Sequence, residues 1–163
     1  MSDLAYKQEI IRLRNLVEYY RLDELTGLKM RKDFENDINI LYMNKASFYL
    51  IIIDINQLHN VNFEDGYIAG DKLIVESVKE IIDCNPTGDN DMLYRIGGDE
   101  FAILFEFSKG YHSGDLHCDS DRFTVATKCS ADYDTKDKLF SATDTLLRER
   151  KALYYLDKQD RRR

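Results

Sequence analysis

The sequence is poor in cysteine and proline, with three cysteines and one proline in 163 residues. The cysteines, Cys84, Cys118 and Cys129, are odd in number and include no C-x-x-C pair, which argues against a disulfide framework and against a closed zinc site. Reduced thiols are therefore expected. The single proline, Pro86, lies in an Asn-Pro-Thr-Gly segment that is expected to end the helical pattern before it.

Long hydrophobic runs and basic residues are also scarce. The longest apolar run, residues 48–55, is far shorter than the roughly 20 residues of a membrane-spanning helix, and the N-terminus lacks the residue order of a signal peptide. We therefore expect a soluble, cytoplasmic protein with no membrane partner. Lys and Arg number 23 against 30 Asp and Glu, a formal net charge of −7. This balance argues against a broad nucleic-acid surface, but not against a nucleotide held through a metal.

The apolar residues that are present, 44% of the chain, suffice for one packed core. In residues 1–22, apolar positions recur at intervals of 4, 3, 4 and 3 residues: Tyr6, Ile10, Leu13, Val17 and Tyr20. This spacing is typical of a helix that packs against another helix, so an N-terminal helical arm with a short coiled coil is predicted. The alternative is an amphipathic helix folded back on its own domain. Residues 23–163 are predicted to form that single domain.

Hydrophobic patterning in the domain predicts an α/β (α+β) palm. Residues 47–55 are nearly all apolar and β-branched or aromatic, as in a central strand covered on both faces. Residues 68–82 show the helical period of a crossover helix, and two strand-like runs, 92–96 and 101–107, flank a pair of glycines as in a β-hairpin. Further predicted elements are helices at 31–43 and 138–156 and a strand at 122–131. This order predicts a ferredoxin-like βαββαβ fold, with a central antiparallel sheet flanked by helices.

Acidic residues at two strand ends are the candidates for chemistry. Asp54 lies near the end of the central strand, where a carboxylate is costly unless it is paired or bound to a metal. Asp99 and Glu100 follow Gly97 and Gly98 in the predicted hairpin turn, and glycine lets a backbone approach a ligand closely. If the hairpin pairs beside the central strand, Asp54 and Asp99 converge and suit Mg²⁺ (or Mn²⁺). The alternative is a structural capping role for Asp54.

Four segments, in order along the chain, resemble motifs of the GGDEF family of diguanylate cyclases. Residues 95–101, Arg-Ile-Gly-Gly-Asp-Glu-Phe, resemble the motif that names the family. Residues 23–28 resemble its D-x-L-T-G-L segment, residues 54–56 its D-x-D metal strand, and residues 62–71 its N-D-x-x-G-H-x-x-G-D stretch. The resemblance extends over roughly residues 23–107. It implies a nucleotidyl cyclase palm that binds GTP and magnesium and acts as a homodimer.

The resemblance also implies roles for individual residues. Asp54, the carbonyl of Ile55 and Asp99 would hold the metal ions. Glu100, the second member of the catalytic pair with Asp99, would help to activate the ribose 3′-hydroxyl. Asn62 and Asp71 would hydrogen-bond the guanine edge, to which an amide and a carboxylate are chemically suited. The other substrate-binding positions that the motifs imply are His59, Gly97, Gly98 and Arg161.

The sequence departs from the family pattern around the expected phosphate groups. Asn56 stands where the family usually has Asp, and His59 stands where it usually has Lys. Residues 152–154, Ala-Leu-Tyr, resemble the family's ALYxAK helix, and this register, which we favour, places Asp157 at the usual phosphate-binding Lys. A second register would place Lys151 there but loses the ALY match. In either register the triphosphate cradle is predicted to be incomplete.

The family's product-inhibition motif, RxxD, is replaced at residues 88–91 by Gly-Asp-Asn-Asp. The arginine that would contact phosphate or guanine is missing. Inhibition of this kind is therefore not predicted.

These features favour a Mg²⁺-dependent diguanylate cyclase that condenses two GTP molecules into cyclic di-GMP and releases pyrophosphate. Such an in-line displacement needs a metal to position and neutralise phosphates more than it needs covalent catalysis. One alternative is a degenerate GGDEF domain that binds GTP or a cyclic dinucleotide as a receptor or interaction module. Another is a cyclase with altered base choice, against which Asp71 argues. A separate sensory protein is a further candidate partner.

Overall fold

A five-stranded mixed sheet with helices on both faces forms the domain in the computed structural model, which describes residues 3–84, 92–106 and 120–160. The helices are α1 (Asp3–Arg21), α2 (Arg31–Met43), α3 (Leu58–Asp65), α4 (Tyr67–Cys84) and α5 (Lys136–Asp160). The strands are β1 (Lys29–Met30), β2 (Phe48–Ile55), β3 (Leu93–Arg95), β4 (Glu100–Glu106) and β5 (Phe123–Cys129). A short 3₁₀ helix, Ser130–Asp132, follows β5.

The strand order in the sheet is β1-β3-β4-β2-β5. Strand β2 lies antiparallel between β4 and β5, β3 and β4 form an antiparallel hairpin, and β1 adds to β3 in parallel. The predicted palm, with its helices and mainly antiparallel sheet, is therefore confirmed. The pairing of β2 with β4 places the chemical motif of one strand beside that of the other.

Strand β2 is apolar along nearly its whole length because both of its faces are covered. Ile51, Ile53 and Ile55 face α4, whereas Leu50 and Ile52 face α2 and α5. The first face packs on Ile74, Val78 and Ile81 of α4, and the second packs on Phe34, Ile38, Leu139 and Leu147. Since side chains alternate between the faces of a strand, Asp54 belongs to the face that α5 covers.

Two elements were not predicted from the sequence, namely the two-residue strand β1 and the helix α3. The other predicted elements are present with shifted ends: residues 122–131 contain a shorter strand and a 3₁₀ turn, and the last helix is longer than 138–156. Residue 107, the last residue of the predicted strand 101–107, lies outside the described residues, as does the replaced inhibition motif at 88–91.

Helix α1 keeps apolar side chains in solvent. Tyr6, Ile10 and Leu13 of the predicted seam are 62%, 36% and 50% exposed, and Leu4 and Ile11 are also exposed. These side chains therefore do not pack on the domain of their own chain. Among residues 3–84, 92–106 and 120–160, none of the helices combines the length and apolar character that a bilayer crossing requires.

A closed turn joins α1 to β1. The Asp23 N–H donates to the carbonyl of Leu28 at 2.8 Å, and the Asp23 carboxylate accepts from the Thr26 N–H at 2.9 Å and from the Thr26 hydroxyl at 2.7 Å. Gly27 has a φ of +70°, a conformation that glycine adopts without a steric penalty. The sequence Asp-x-x-Thr-Gly is therefore explained here by the hydrogen bonds and backbone of the turn.

The Asp23 carboxylate also joins the turn to the hairpin, because it accepts from Arg95 Nη1 at 2.8 Å. Burial would raise the pKa of Asp23, but the hydrogen bonds from Thr26 and Arg95 and the charge of Arg95 outweigh burial and lower it. The carboxylate is thus held in its charged form where helix, turn and sheet meet.

Candidate active site

The carboxylates predicted to act together lie at one end of the β2–β4 pair. Asp54 and Glu100 are direct register partners on the adjacent strands, and the Ile55 N–H donates to the carbonyl of Asp99 at 2.9 Å. Opposed residues in an antiparallel pair project to the same face. Antiparallel pairing thus brings Asp54 close to Asp99 and Glu100, although Asp99 is 45 residues further along the sequence.

Asp54 is a buried carboxylate with only 8% of its surface exposed. Burial raises its pKa to about 6; the hydrogen bond and charge of Lys151 oppose this rise, while the negative charges of Asp99 and Glu100 add to it. The ammonium group of Lys151 is in direct ion-pair contact with Asp54 Oδ1. Even this close cation therefore does not offset the burial and the neighbouring negative charges, and the site is short of positive charge.

The hairpin turn is held by arginine side chains on two of its carbonyl groups. Arg31 Nε donates to the carbonyl of Ile96 at 2.6 Å, and Arg95 Nη2 donates to the carbonyl of Gly98 at 2.7 Å. Arg31 also lies 3.9 Å from the Glu100 carboxylate. Arg31 was not predicted as a site residue, because its partner Ile96 is 65 residues away along the chain and no local sequence pattern indicates the contact.

The two glycines of this turn differ in what requires them. A Cβ on Gly97 would lie 2.7 Å from Glu100 Oε2, so glycine at this position makes room for the Glu100 side chain. A Cβ on Gly98 would meet nothing within 4 Å. Packing within the chain therefore explains Gly97, whereas no neighbouring atom requires glycine at Gly98.

The predicted base-binding residues lie on the two helices that follow β2. Asn62 is in α3 and Asp71 is in α4, and the side chain of Asn62 lies so close to Gly70 that a Cβ there would be 1.9 Å from Asn62 Oδ1. Asn62 is partly buried, whereas Asp71 is exposed. The structure thus places the Asn62 amide against the residue that precedes Asp71. His59 is exposed one turn before Asn62 on α3.

Helix α5 reaches the site through a residue other than the one we favoured. Lys151, not Asp157, contacts Asp54. Asp157 is exposed and six residues further along the helix, which places it about 120° around the axis from Lys151. The register based on the ALY match therefore did not identify the α5 side chain that contacts Asp54. Arg161 lies outside the described residues.

Asn56, which stands at the second Asp position of the family's D-x-D strand, forms hydrogen bonds within the sheet. It is 3% exposed; its Nδ2 donates to the carbonyl of Asp121 at 3.2 Å, and its Oδ1 accepts from the Thr124 hydroxyl at 2.9 Å. Both ends of the amide are thus used in binding the β5 side of the sheet. The Asn56 side chain is thus a structural link between two strands, and the reduced charge of the phosphate cradle stays a prediction.

Gln57, the next residue, bends the chain between β2 and α3. Its φ is +63°, which is uncommon for a residue with a side chain. Its Nε2 donates to the Tyr154 hydroxyl at 2.9 Å, and Tyr154 in turn donates to the carbonyl of Asp121 at 3.1 Å. These bonds fix the loop to α5 and so position α5 beside Asp54.

The donor set fits a hard divalent cation. Asp54 is buried beside two other negative charges, and a lysine ammonium already occupies one of its oxygens as a stand-in cation. Within the described ranges no three His, Cys, Asp or Glu side chains are grouped as a complete ligand set. Mg²⁺ does not need one, because it is commonly held by one or two carboxylates while water and phosphate oxygens complete its shell.

The sequence and the fold both place this chain among known proteins. The family model "Diguanylate cyclase, GGDEF domain" matches residues 20–115, more than half of the chain. The chain therefore belongs to the GGDEF family, as its motifs predicted. The probable diguanylate cyclase DgcI of Escherichia coli is 34% identical over 84 residues, which are 52% of this chain and 18% of that protein. The chain spans only 10% to 20% of the length of the first curated relatives that it matches.

Solved structures of low sequence identity share the fold. The Vibrio cholerae LapD S helix-GGDEF-EAL protein, bound to c-di-GMP, superposes with a TM-score of 0.71 at 18% identity, over 90% of this chain and 38% of that one. The coiled coil and GGDEF domain of DgcB from Caulobacter crescentus superposes with a TM-score of 0.63 at 16% identity, over 97% and 92% of the two chains. These similarities show the fold alone.

Proposed function

We propose that this chain is a diguanylate cyclase domain that condenses two GTP molecules into cyclic di-GMP with release of pyrophosphate. The observation that carries the proposal is the cross-strand pairing of Asp54 with Glu100, beside Asp99, at the buried end of β2. Asp54 is buried and the negative charges of Asp99 and Glu100 act on it, so its charged form is costly unless a cation compensates it. Belonging to the GGDEF family, and similarity to relatives that carry the cyclase name, favour the same activity.

In this proposal, Asp54, the carbonyl of Ile55 and Asp99 hold Mg²⁺ or Mn²⁺. When bound, the metal neutralises phosphate charge and orients the reacting groups. Glu100 accepts a hydrogen bond from the ribose 3′-hydroxyl and takes its proton, while Arg31 and Arg95 keep the turn in position. The open space at Gly98 and the backbone of Gly97 accommodate the triphosphate, which His59 and Arg161 also bind.

The base is selected by Asn62 and Asp71. A carboxylate accepts from the N1–H and N2–H₂ groups of guanine, and adenine lacks this pair of donors. With adenine in the site, the Asp71 carboxylate would lose its hydrogen bonds, and unpaired polar groups are costly. GTP is therefore the proposed substrate.

A homodimer completes the reaction. Each domain supplies one nucleotide, and each 3′-hydroxyl attacks the α-phosphate of the nucleotide on the facing domain. The exposed apolar residues of α1 support a second copy of this chain as the partner, because Tyr6, Ile10 and Leu13 stay in solvent in the single chain.

The test is product analysis with matched variants. The purified protein is incubated with Mg²⁺ and equal GTP and ATP, and the products are identified by mass spectrometry. We expect cyclic di-GMP from the parent and none from Asp99→Ala. Asp83→Ala, which removes an exposed carboxylate in the last turn of α4, should retain full activity. Circular dichroism confirms that all three proteins are folded.

The other results would each replace the proposal by a different function. Tight GTP or cyclic di-GMP binding without turnover at any protein concentration would identify a receptor, a function supported by the exposed His59, which replaces the family's usual Lys. Products containing adenine would identify altered base choice. Equal activity in the parent and Asp99→Ala would exclude this metal site.

A further inference from the structure

Lys151 is the basic side chain that contacts Asp54, and it is held there by the packing of α5. Its Nζ pairs with Asp54 Oδ1, and the two side chains are 23% and 11% exposed. The helix is fixed on both sides of this residue. Arg150 Nη1 donates to the carbonyl of Val125 at 2.6 Å, and Tyr154 binds Gln57 and the carbonyl of Asp121. The ion pair is thus a built part of the site.

The ammonium of Lys151 and a divalent metal cannot share the same oxygen of Asp54. Both are cations, both need direct contact with the carboxylate, and their mutual repulsion is strong where solvent is scarce. A metal that takes Oδ1 must therefore displace Lys151, and a metal on the other oxygen would repel the ammonium and favour the same displacement. This displacement makes metal binding less favourable in the absence of a nucleotide, because the partly buried ammonium then loses its partner.

A triphosphate gives the displaced ammonium a new partner. Lysine carries a point charge on a flexible stem, which can move between nearby anions while the helix backbone stays in place. His59 replaces the usual Lys of the cradle and Asp157 is acidic, so neither position carries a lysine, whereas Lys151 brings a positive charge to the site. Arg31, the basic residue on the far side of the turn, is already engaged by Ile96 and Glu100.

We propose that Lys151 is an exchangeable counterion, which the metal displaces from Asp54 and which then binds the triphosphate. The consequence is positive coupling between metal and nucleotide: each raises the affinity for the other, because only together do they give every charge a partner. The proposal rests on the metal and nucleotide site of the proposed function. It does not require turnover.

The test compares Lys151→Met with the parent, and uses Lys138→Met as the matched control. Lys138 is on the same helix but is exposed and pairs with Asp134. Calorimetry measures the affinity for Mn²⁺ alone, then for Mn²⁺ in the presence of a non-hydrolysable GTP analogue. We expect Lys151→Met to bind Mn²⁺ alone about tenfold more tightly and the analogue about tenfold more weakly, typical of a modest coupling energy. Lys138→Met should match the parent.

Lys151→Gln is a second variant, for use if Lys151→Met leaves the Asp54 charge without a partner and the protein does not fold. It retains an N–H donor for Asp54 but lacks the charge, so it should also strengthen Mn²⁺ binding. Unchanged or weaker binding of Mn²⁺ alone in both variants would overturn the proposal, and so would the absence of Mn²⁺ binding in all proteins. Stronger Mn²⁺ binding by the variants, with no cyclic dinucleotide from the parent, would support the counterion while rejecting the cyclase.

Discussion

Asp54 carries a stability cost that depends on pH. Its pKa is raised to about 6, above the ordinary value of 3.8, by burial and by the charges of Asp99 and Glu100. A raised carboxyl pKa means that the folded state favours the protonated form. The stability that this protonation contributes is full below pH 3.8 and is lost as the pH rises through about 6. In the metal-free protein at neutral pH, the charged carboxylate is therefore a local source of instability.

Asp54→Asn should accordingly stabilise the metal-free protein at pH 7.5. The amide keeps an oxygen for Lys151 but carries no buried charge. We expect a melting temperature about 3 °C above that of the parent, the shift that about 1 kcal/mol produces in a domain of this size. Thermal unfolding is followed by circular dichroism in EDTA between pH 4.5 and 8.

The difference between the two proteins should shrink as the pH falls below 6 and the parent takes up its proton. Carboxylates that do not interact with Asp54 contribute equally to both proteins and cancel in this comparison. A melting-temperature difference that is constant over the whole range would contradict the raised pKa. With Mg²⁺ and nucleotide present, the order should reverse, because only the parent can gain stability from the bound metal.

At the scale of elements, the contact between α3 and α4 sets the position of the base-binding amide. Gly70 allows Asn62 to lie against α4, since an added Cβ would be only 1.9 Å from Asn62 Oδ1. The added Cβ would also be 2.8 Å from Asn62 Cγ and 3.2 Å from Leu58 Cδ1, so the whole Asn62 amide must rotate away. The expected cost of an added methyl group therefore falls mainly on the position of this amide and so on ligand binding.

Gly70→Ala should weaken GTP binding about tenfold, roughly the effect of one lost hydrogen bond. Its thermal stability should match or exceed that of the parent, because alanine is the better helix former. Affinity is measured by calorimetry with a non-hydrolysable GTP analogue and Mg²⁺.

A double-mutant cycle distinguishes this effect from a general disturbance of α4. Asn62→Ala alone should weaken binding to a similar degree, and Gly70→Ala should add little to it, because the amide is already gone. Additive losses in the double mutant would show that Gly70 acts through something other than Asn62.

The elements that the sequence predicted are those with strong local patterns. Strand β2 is an unbroken apolar run, α4 has a clear helical period, and the hairpin has its glycines. Strand β1 was not predicted because it has two residues and forms through its long-range pairing with β3 and a single bridge to Leu22. Helix α3 has no pronounced apolar face, and Leu58 is its buried residue, so periodicity gave no signal.

The same contrast holds for the active-site residues: those in local sequence motifs were predicted, whereas contacts that depend on long-range packing were not. The motifs identified Asp54, Asp99 and Glu100, and strand pairing brought them together. Lys151 could not be selected with certainty, because two registers of α5 were open and the side chain that meets Asp54 depends on how the helix packs. The hydrogen-bond partners of Asn56, Asp121 and Thr124, could not be predicted because they lie more than 60 residues away.

At the scale of the whole molecule, the apolar seam residues Tyr6, Ile10 and Leu13 of α1 are exposed in the part of the chain that the structure describes. Tyr6 is 62% exposed and Leu13 is 50% exposed. Burying these side chains against a second α1 is favourable by about 25 cal/mol per Å² of apolar surface. A short coiled coil is marginal alone. We therefore expect a dimer that dissociates on dilution.

Leu13→Lys should shift this equilibrium towards the monomer by at least tenfold, because a charge in the seam opposes burial. Sedimentation velocity over a range of protein concentrations measures the change. Gln8→Lys, which adds the same charge to α1 outside the seam, is the control and should leave the dimer intact. If cyclase activity is present, the activity per molecule of Leu13→Lys should fall at low concentration and recover at high concentration.

An unchanged sedimentation profile in Leu13→Lys would place self-association elsewhere on the molecule. Equal losses in Leu13→Lys and Gln8→Lys would point to net charge and not to the seam. Both proteins should keep the melting temperature of the domain, since neither residue contributes to its buried core.

The junction between arm and domain determines what kind of signal can pass through it. Arg21, the last residue of α1, pairs with Asp33 of α2 at 3.0 Å through Nε. Two residues later, Asp23 is bonded to Arg95, whose other nitrogen binds the carbonyl of Gly98. The arm is therefore joined to α2 and to the hairpin turn by direct ion pairs. In the proposed dimer, we expect a rotation of α1 to move the attached domain with it and so to change how the two sites face each other.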